Sequence, residues 1–265
     1  MTFFLFSIGS AAILFIGSLV VLNYGRDLGV RYLKKQHADS MVGLNAIEGA
    51  VFALMGLLLA FTISGALQRF DERRQLIIQE ANTTRTAYER LGLFERDIAR
   101  DLRTKLKEYA GARIQLYSLS RDFSLWRGTT IYSREQGDRI LASRHELWNA
   151  ALEACSPGSN RTSCTLALPA LSNLFDVAGL RAAANERHPP QIIYVMLYGL
   201  GLGGSLLGGF GMAAAKSRSW VHMVIFAAAL TFALFIVTNI EFPRLGFIRV
   251  DRFDHFLIEA YEQIR

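Results

Sequence analysis

Residues 44–67, LNAIEGAVFALMGLLLAFTISGAL, hold one charged residue, Glu48, and no proline. At about 1.5 Å of rise per residue, a helix of this length covers about 36 Å, enough to cross a hydrocarbon core about 30 Å thick. The chain continues as QRFDERR, residues 68–74, with no residue that breaks helices. We therefore expect one helix that begins in the membrane and continues outside it.

The charged continuation repeats at helical spacing. Steps of four and three residues separate Phe70, Arg74, Ile77, Ala81, Thr84, Tyr88 and Leu91. This is the seam spacing of a helix that packs on partner helices. The helical period resumes at Ile98, Leu102, Leu106, Tyr109 and Arg113. Gly92, between the two series, either kinks a continuing helix or ends it.

Three further apolar runs are long enough to span a membrane: Phe3–Leu22, Gln191–Ala215 and Trp220–Ile240. A cleaved signal peptide is the alternative for the first run, but no basic residue precedes it. We expect Asn23–Val42 to form a polar loop. Together with an apolar content of 51%, the four runs indicate an integral membrane protein.

The segment between the second and third spans is charged and helical in pattern. We expect helices around Leu116, Leu119, Trp126 and Ile131, over Ser133–Cys155, and from Pro169 toward Ala184, with a loop at Ser156–Asn160. The prolines at 189 and 190 mark the return to the membrane. The predicted fold is all-α, with transmembrane helices in 1–66 and 189–242, a helical extramembrane domain at 67–188 inserted between the second and third of them, and an amphipathic tail at 243–265.

Small residues lie on one face of the second and of the third span. They are Gly49, Ala53, Gly56, Ala60 and Ser64, and Gly199, Gly203, Gly204 and Gly208. Such faces let another helix approach closely, so we expect tight helix packing and a homo-oligomer. The alternative for the second span is that small residues are simply common in membrane helices.

Charge distribution and the two cysteines bear on sidedness. Basic residues in the two short loops favour those loops in the cytoplasm, which would place the extramembrane domain outside the cell membrane, or in the periplasm if that membrane is an inner one. Arginines that flank the membrane on the other side argue the opposite. Cys155 and Cys164 bracket a proline-glycine loop, and a disulfide there would suit an oxidising compartment. Two free thiols are the alternative.

A few polar residues at the second span are candidates for an ion pathway. A carboxylate in a membrane helix, here Glu48, is costly unless it faces water, protein or a cation, although it can also reach the interface. Arg69 and Arg73 follow the span, where copies in an oligomer would ring a pore mouth. Lipid headgroup contacts and solvated ion pairs are the alternative. Thr62 and Ser64 complete the set.

The sequence holds no motif for catalysis or for cofactor binding. The five histidines lack a second ligand at metal spacing, and no phosphate-binding glycine loop is present. The formal net charge of +6 comes from interspersed charges rather than from a basic stripe. We therefore expect no enzyme activity, no cofactor, no metal and no nucleic-acid partner.

Four segments resemble one known family. Residues 56–62, 66–74, 80–88 and 241–250 are similar to the signature of the bestrophin-like domain family, and His188-Pro189-Pro190 fits the start of its third membrane helix. The resemblance implies a bacterial-type protein with four membrane spans. The family name suggests anion channels, but the sequence lacks the aromatic pore pattern of true bestrophins.

These features favour an oligomeric membrane channel or transporter for small ions. The alternative is a non-conducting envelope scaffold or sensor that binds a protein through its extramembrane helices.

Overall fold

The computed structural model describes residues 2–34, 42–119, 123–124, 129–130, 134–156, 160–215, 217–244 and 247–264, with no account of the side chains at 2–4, 42–45, 117–119, 123–124 and 129–130. The helices are α1 Thr2–Leu33, α2 Val42–Leu91, α3 Arg96–Leu119, α4 Arg134–Ala154, α5 Arg161–Glu186, α6 Gln191–Gly211, α7 Trp220–Glu241 and α8 Asp254–Gln263. Short 3-10 turns, Met212–Ala214 and Asp251–Phe253, follow α6 and precede α8. Phe123–Ser124 and Thr129–Thr130 form an antiparallel two-residue hairpin.

The all-α prediction is confirmed, and so is the number of candidate spans. Four helical stretches are long and apolar enough to cross a membrane. The helix predicted from residue 44 onward is a single helix of 50 residues, α2. Helix α2 ends at Leu91, so Gly92 follows the end of this helix and does not kink a continuing one.

The chain forms two compact units. The membrane unit comprises residues 1–68 and 189–242, and the helical unit comprises residues 69–188 and 243–265. The C-terminal segment therefore belongs to the same unit as the segment between the second and third spans.

In the membrane unit, α1 packs closely on α6 through glycines. A β-carbon placed on Gly209 would contact the backbone carbonyl of Leu22, and one placed on Gly25 would contact that of Leu206. One placed on Gly29 would lie 2.7 Å from the Phe210 carbonyl oxygen. Only hydrogen at these three positions allows the two backbones to approach so closely.

The expected loop at Asn23–Val42 is wrong over its first part, because α1 continues to Leu33. The polar residues of this stretch misled the prediction, since Gly25 and Gly29 bury one side of it against α6. Residues 35–41 of the expected loop lie outside the described residues.

The helical unit has its own core, made by α2, α3, α4, α5 and the end of the chain. Its fully buried members include Leu91, Leu106, Leu147 and Leu171, and Ile264 packs into the same cluster. The helix predicted over Ser133–Cys155 is present as α4. The helix expected around Leu116, Leu119, Trp126 and Ile131 is wrong beyond Leu119, where α3 ends and the two-residue hairpin follows. Trp126 and Ile131 lie outside the described residues.

The predicted start of the last helix of this unit at Pro169 is wrong. Helix α5 begins at Arg161, and Pro169 lies inside it. Asn160 is the N-cap, and its Oδ1 accepts hydrogen bonds from the amides of Thr162 and Ser163 at 3.0 and 3.5 Å. This cap satisfies amides that a helix start leaves open, so the helix begins two turns before the proline.

The seam of α2 beyond residue 69 packs inside the chain. Ile77, Ala81, Thr84 and Leu91 are at most 2% exposed. Ala81 contacts Leu257 and Ala260 of α8, while Leu91 belongs to the core described above. The partner helices that the spacing indicated are therefore those of the same chain.

Candidate functional site

Helix α2 rests on α6 through its bulky side. A β-carbon placed on Gly204 would lie 3.3 Å from Phe52 and 3.4 Å from Met55 Sδ, and one on Gly211 would lie 2.6 Å from Glu48 Oε2. Glu48 therefore lies beside the C-terminal end of α6, and Met55 lies beside its middle. The two helices thus run antiparallel. The glycine face of α6 receives large side chains rather than another small-residue face.

The small-residue face of α2 points away from its own chain. Gly49, Ala53, Gly56, Ala60 and Ser64 are all exposed within the single chain. Among the described residues, nothing lies within 4 Å of a β-carbon placed on Gly49 or Gly56. This face was predicted to pack on a helix, and the described part of the chain supplies none.

The glycines of α6 divide between two situations. Gly204 and Gly208 lie against Phe52 of α2, and Gly208 also lies 3.8 Å from Leu22 as measured from a placed β-carbon. In the described part of the chain, nothing lies within 4 Å of Gly199 or Gly203 measured in the same way. The predicted four-residue packing face is thus half occupied inside one chain.

The pathway candidates of the membrane unit lie on two sides of α2. Ser64 belongs to the exposed small-residue face. Glu48 is half-buried against α6, and the described residues contribute no hydrogen bond or ion pair to its carboxylate. The Thr62 hydroxyl donates to the Leu58 carbonyl at 2.7 Å. At about 100° per residue, Thr62 falls on the side of Glu48, and Ser64 on the opposite side.

Arg69 and Arg73 follow in the helical unit, and their surroundings differ. Arg69 is half-buried. Arg73 is 4% exposed, and its guanidinium donates to the carbonyls of Ala184 and Arg187 at 3.1 and 2.8 Å. These carbonyls lie at the end of α5, where a helix leaves acceptors unsatisfied, so Arg73 caps that helix. The ion-path role predicted for Arg73 stays a prediction, and its guanidinium is engaged at the α5 end.

A buried ionic network lies at the centre of the helical unit. Glu80 of α2 is 1% exposed, and its two carboxylate oxygens accept from Arg113 Nε at 2.7 Å and from Arg181 Nη1 at 2.6 Å. Arg181 also donates to Asp254 Oδ1 at 2.8 Å, and Arg244 donates to both oxygens of Asp254 at 3.1 and 3.2 Å. The network joins α2, α3, α5 and α8.

The network fixes the charge of Glu80. Burial alone would raise the pKa of this carboxyl, but the charges of Arg113 and Arg181 and their hydrogen bonds outweigh it and hold the pKa below its ordinary value. Glu80 is therefore ionised at neutral pH, as two buried guanidinium groups require.

Cys155 and Cys164 form a disulfide, with Cα atoms 5.6 Å apart and a sequence separation of nine. It joins the end of α4 to the first turn of α5. Within the described part of the chain, no group of three or more His, Cys, Asp or Glu side chains could hold a metal ion.

Sequence reasoning missed the network and the α1–α6 glycines. Arg113 continues the helical series of mostly apolar residues in α3. A charged residue at such a position indicates a buried charge. Gly25 and Gly29 are four residues apart, which is the small-residue spacing of packed membrane helices. A third missed contact links α1 to α7, where Asn239 Nδ2 donates to Ser7 Oγ at 3.0 Å and both residues are 1% exposed.

Comparison with known proteins places this geometry in context. A crystal structure of a single-substitution variant of a bacterial bestrophin homologue from Klebsiella pneumoniae matches with a TM-score of 0.67 and 14% identity, over 94% of this chain and 99% of that one. Another structure of a bacterial bestrophin homologue from Klebsiella pneumoniae, obtained by zinc phasing, matches with a TM-score of 0.65 and 14% identity, over 94% and 98%. At this identity the likeness concerns the fold.

No curated protein matches the chain. The model of the bestrophin-like domain matches residues 17–253, which is nearly the whole sequence. The resemblance carried by residues 56–62, 66–74, 80–88 and 241–250 is thereby confirmed, and the chain belongs to the bestrophin-like domain family.

Proposed function

We propose that the chain assembles into a homo-oligomer in the membrane and that its α2 helices surround a pathway for small ions. The observation that carries the proposal is the division of α2 into two sides. Its bulky side, with Phe52 and Met55, packs on α6, while its small-residue face is exposed. Small residues offer little attraction to lipid chains but let helices approach closely, so a second copy is the better neighbour.

The exposed face sets which side chains would line the pathway. Ser64 is its one hydroxyl group, and a hydroxyl can contact a partly dehydrated ion or its water. Glu48 and Thr62 lie on the other side of α2 and would not share that wall. Arg69 would sit beyond the span, where a ring of cations from several copies would attract anions to the mouth.

The position of the helical unit relative to the bilayer is part of the proposal. The charged surface of this unit and its separate core suit an extramembrane domain inserted between the second and third spans. Its disulfide supports exposure to an oxidising compartment, which for a bacterial inner membrane is the periplasm. Labelling of intact cells with a membrane-impermeant maleimide, after reduction with an impermeant phosphine, would detect Cys155 and Cys164 only in that orientation.

Conduction is tested with the purified full chain. We expect a detergent-solubilised oligomer whose incorporation into planar bilayers gives ion currents that depend on the salt gradient. An assembled oligomer that carries no current at any salt or pH would refute the pathway and favour the non-conducting scaffold. A chain that stays monomeric in detergent and in lipid discs would refute the oligomer itself.

A further inference from the structure

We infer that the end of α1 and the start of α7 form a binding site for the phosphate of an anionic phospholipid. The inference goes beyond ion conduction and does not depend on it. It concerns a group of cations in the membrane unit, namely Arg26, Arg31, Lys34 and Arg218, which we call the basic patch.

Two contacts bring Arg26 and Arg218 of the basic patch to the same turn of the chain, and Arg31 and Lys34 follow Arg26 in sequence. Arg26 Nη2 donates to the Ala215 carbonyl oxygen at 3.4 Å, which holds this guanidinium at the turn between α6 and α7. Asp27, the next residue on α1, pairs with Arg218 of the same turn at 2.8 Å. The turn between α6 and α7 therefore lies beside the last turns of α1.

Among the described residues, the basic patch carries more positive charge than the nearby carboxylates compensate. Asp27 is paired with Arg218, and the described residues supply no ion pair to Arg31 or Lys34, which are both exposed. The Nε of Arg26 is buried and has no hydrogen-bond partner among the described residues. Glu48, the other described carboxylate at this end of the unit, lies against Gly211 on the side of α6 that faces α2.

The basic patch lies at the end of an apolar run, the depth at which lipid headgroups are found. Arg26 and Arg31 lie in the last turns of α1, after the apolar run that ends at Leu22, and Lys34 is the first residue beyond the helix. Tyr24 and Trp220 are 59% and 53% exposed, and such aromatic residues mark the interface between chains and headgroups. Cations at this depth meet lipid phosphates, and a lipid with net negative charge gains more from them than a zwitterionic one.

Binding is measured on the purified full chain by native mass spectrometry and by titration in lipid discs. The probe is dioleoylphosphatidylglycerol, with dioleoylphosphatidylcholine as the zwitterionic comparison and inorganic phosphate as the free anion. Each cation near an anionic lipid contributes about fivefold in binding, so replacing three should weaken it on the order of a hundredfold. The variant is Arg26→Gln with Arg31→Gln and Lys34→Gln.

A matched control removes three exposed cations from the helical unit, by Arg96→Gln, Arg100→Gln and Arg134→Gln, and should bind the anionic lipid like the wild type. If Arg26→Gln disturbs folding, Arg31→Gln with Lys34→Gln should still weaken binding by about twenty-five-fold. The inference is overturned if the patch variant keeps wild-type binding of the anionic lipid or if the control variant loses as much. It is also overturned if the zwitterionic lipid binds equally well. Binding of inorganic phosphate at the same concentration as the lipid would overturn it too.

Discussion

Glu80→Gln should destabilise the helical unit far more than the loss of a surface charge. The substitution keeps the shape of the side chain and removes its charge, so Arg113 and Arg181 would face a neutral amide while remaining buried. Removing one partner of a buried ion pair costs about 3–5 kcal/mol, because the other charge is left without compensation. We expect the free energy of unfolding to fall by about that amount, which corresponds to a decrease in Tm of about 10 °C.

The assay is urea unfolding of the detergent-solubilised chain, with Trp126→Phe and Trp220→Phe in every variant so that the fluorescence reports on Trp148 alone. Trp148 packs edge-on against Phe175 in the core of the helical unit. Glu259→Gln is the matched control, since its ion pair with Arg85 spans 3.6 Å and its side chain is 54% exposed. An exposed pair contributes at most about 1 kcal/mol. If Glu80→Gln cost no more than this control, the reasoning about the buried network would be refuted.

The same network predicts a pH dependence. Because the pKa of Glu80 is lower in the folded chain than in the unfolded one, its contribution to stability is fully present above the unfolded value of about 4.3 and is lost as the pH falls through the folded value. The wild type should therefore lose stability relative to Glu80→Gln on acidification below about pH 4.3. Parallel curves for the two proteins over that range would contradict the lowered pKa.

Three other substitutions test separate contacts. Gly209→Ala should abolish a monodisperse size-exclusion peak, because its β-carbon would contact the Leu22 carbonyl. Gly203→Ala should elute as the wild type does, because no described atom lies within 4 Å of a β-carbon at that position. Two identical elution profiles would contradict the close α1–α6 contact. Arg73→Met should cost about 2–3 kcal/mol by leaving the α5 end uncapped. Arg100→Met, whose ion pair with Asp97 is exposed, should cost at most about 1 kcal/mol, and equal costs would refute the capping role. Cys155→Ser should cost about 3 kcal/mol under oxidising conditions, and a wild type that is insensitive to reductant would contradict the disulfide.

The sequence predicted the features that depend on local pattern. The four apolar runs and the uninterrupted α2 follow from charge-free length and from the lack of a breaker between residues 44 and 91. The end of α1 and the start of α5 were wrong because neighbouring groups decided them. Gly25 is sheltered by α6, and the Asn160 side chain caps the first turn ahead of Pro169.

The buried network could not be predicted, since its members come from four helices. Glu80 and Arg181 are 101 residues apart, and nothing in their local surroundings indicates that they meet. The α2 seam was predicted from its spacing, but spacing does not say whose helix lies against it. In this chain α3, α5 and α8 fill that place, so the case for an oligomer depends on the membrane part of α2 alone.

Chemical accessibility of Ser64 tests the proposed pathway most directly. Ser64→Cys and Phe52→Cys would be compared in planar bilayers while a water-soluble, charged methanethiosulfonate is added, with the native cysteines already joined to each other. Because Ser64 lies on the exposed small-residue face and Phe52 packs on α6, we predict that the reagent changes the current of Ser64→Cys and leaves that of Phe52→Cys unchanged. A conducting Ser64→Cys oligomer whose current does not respond to the reagent would contradict the account.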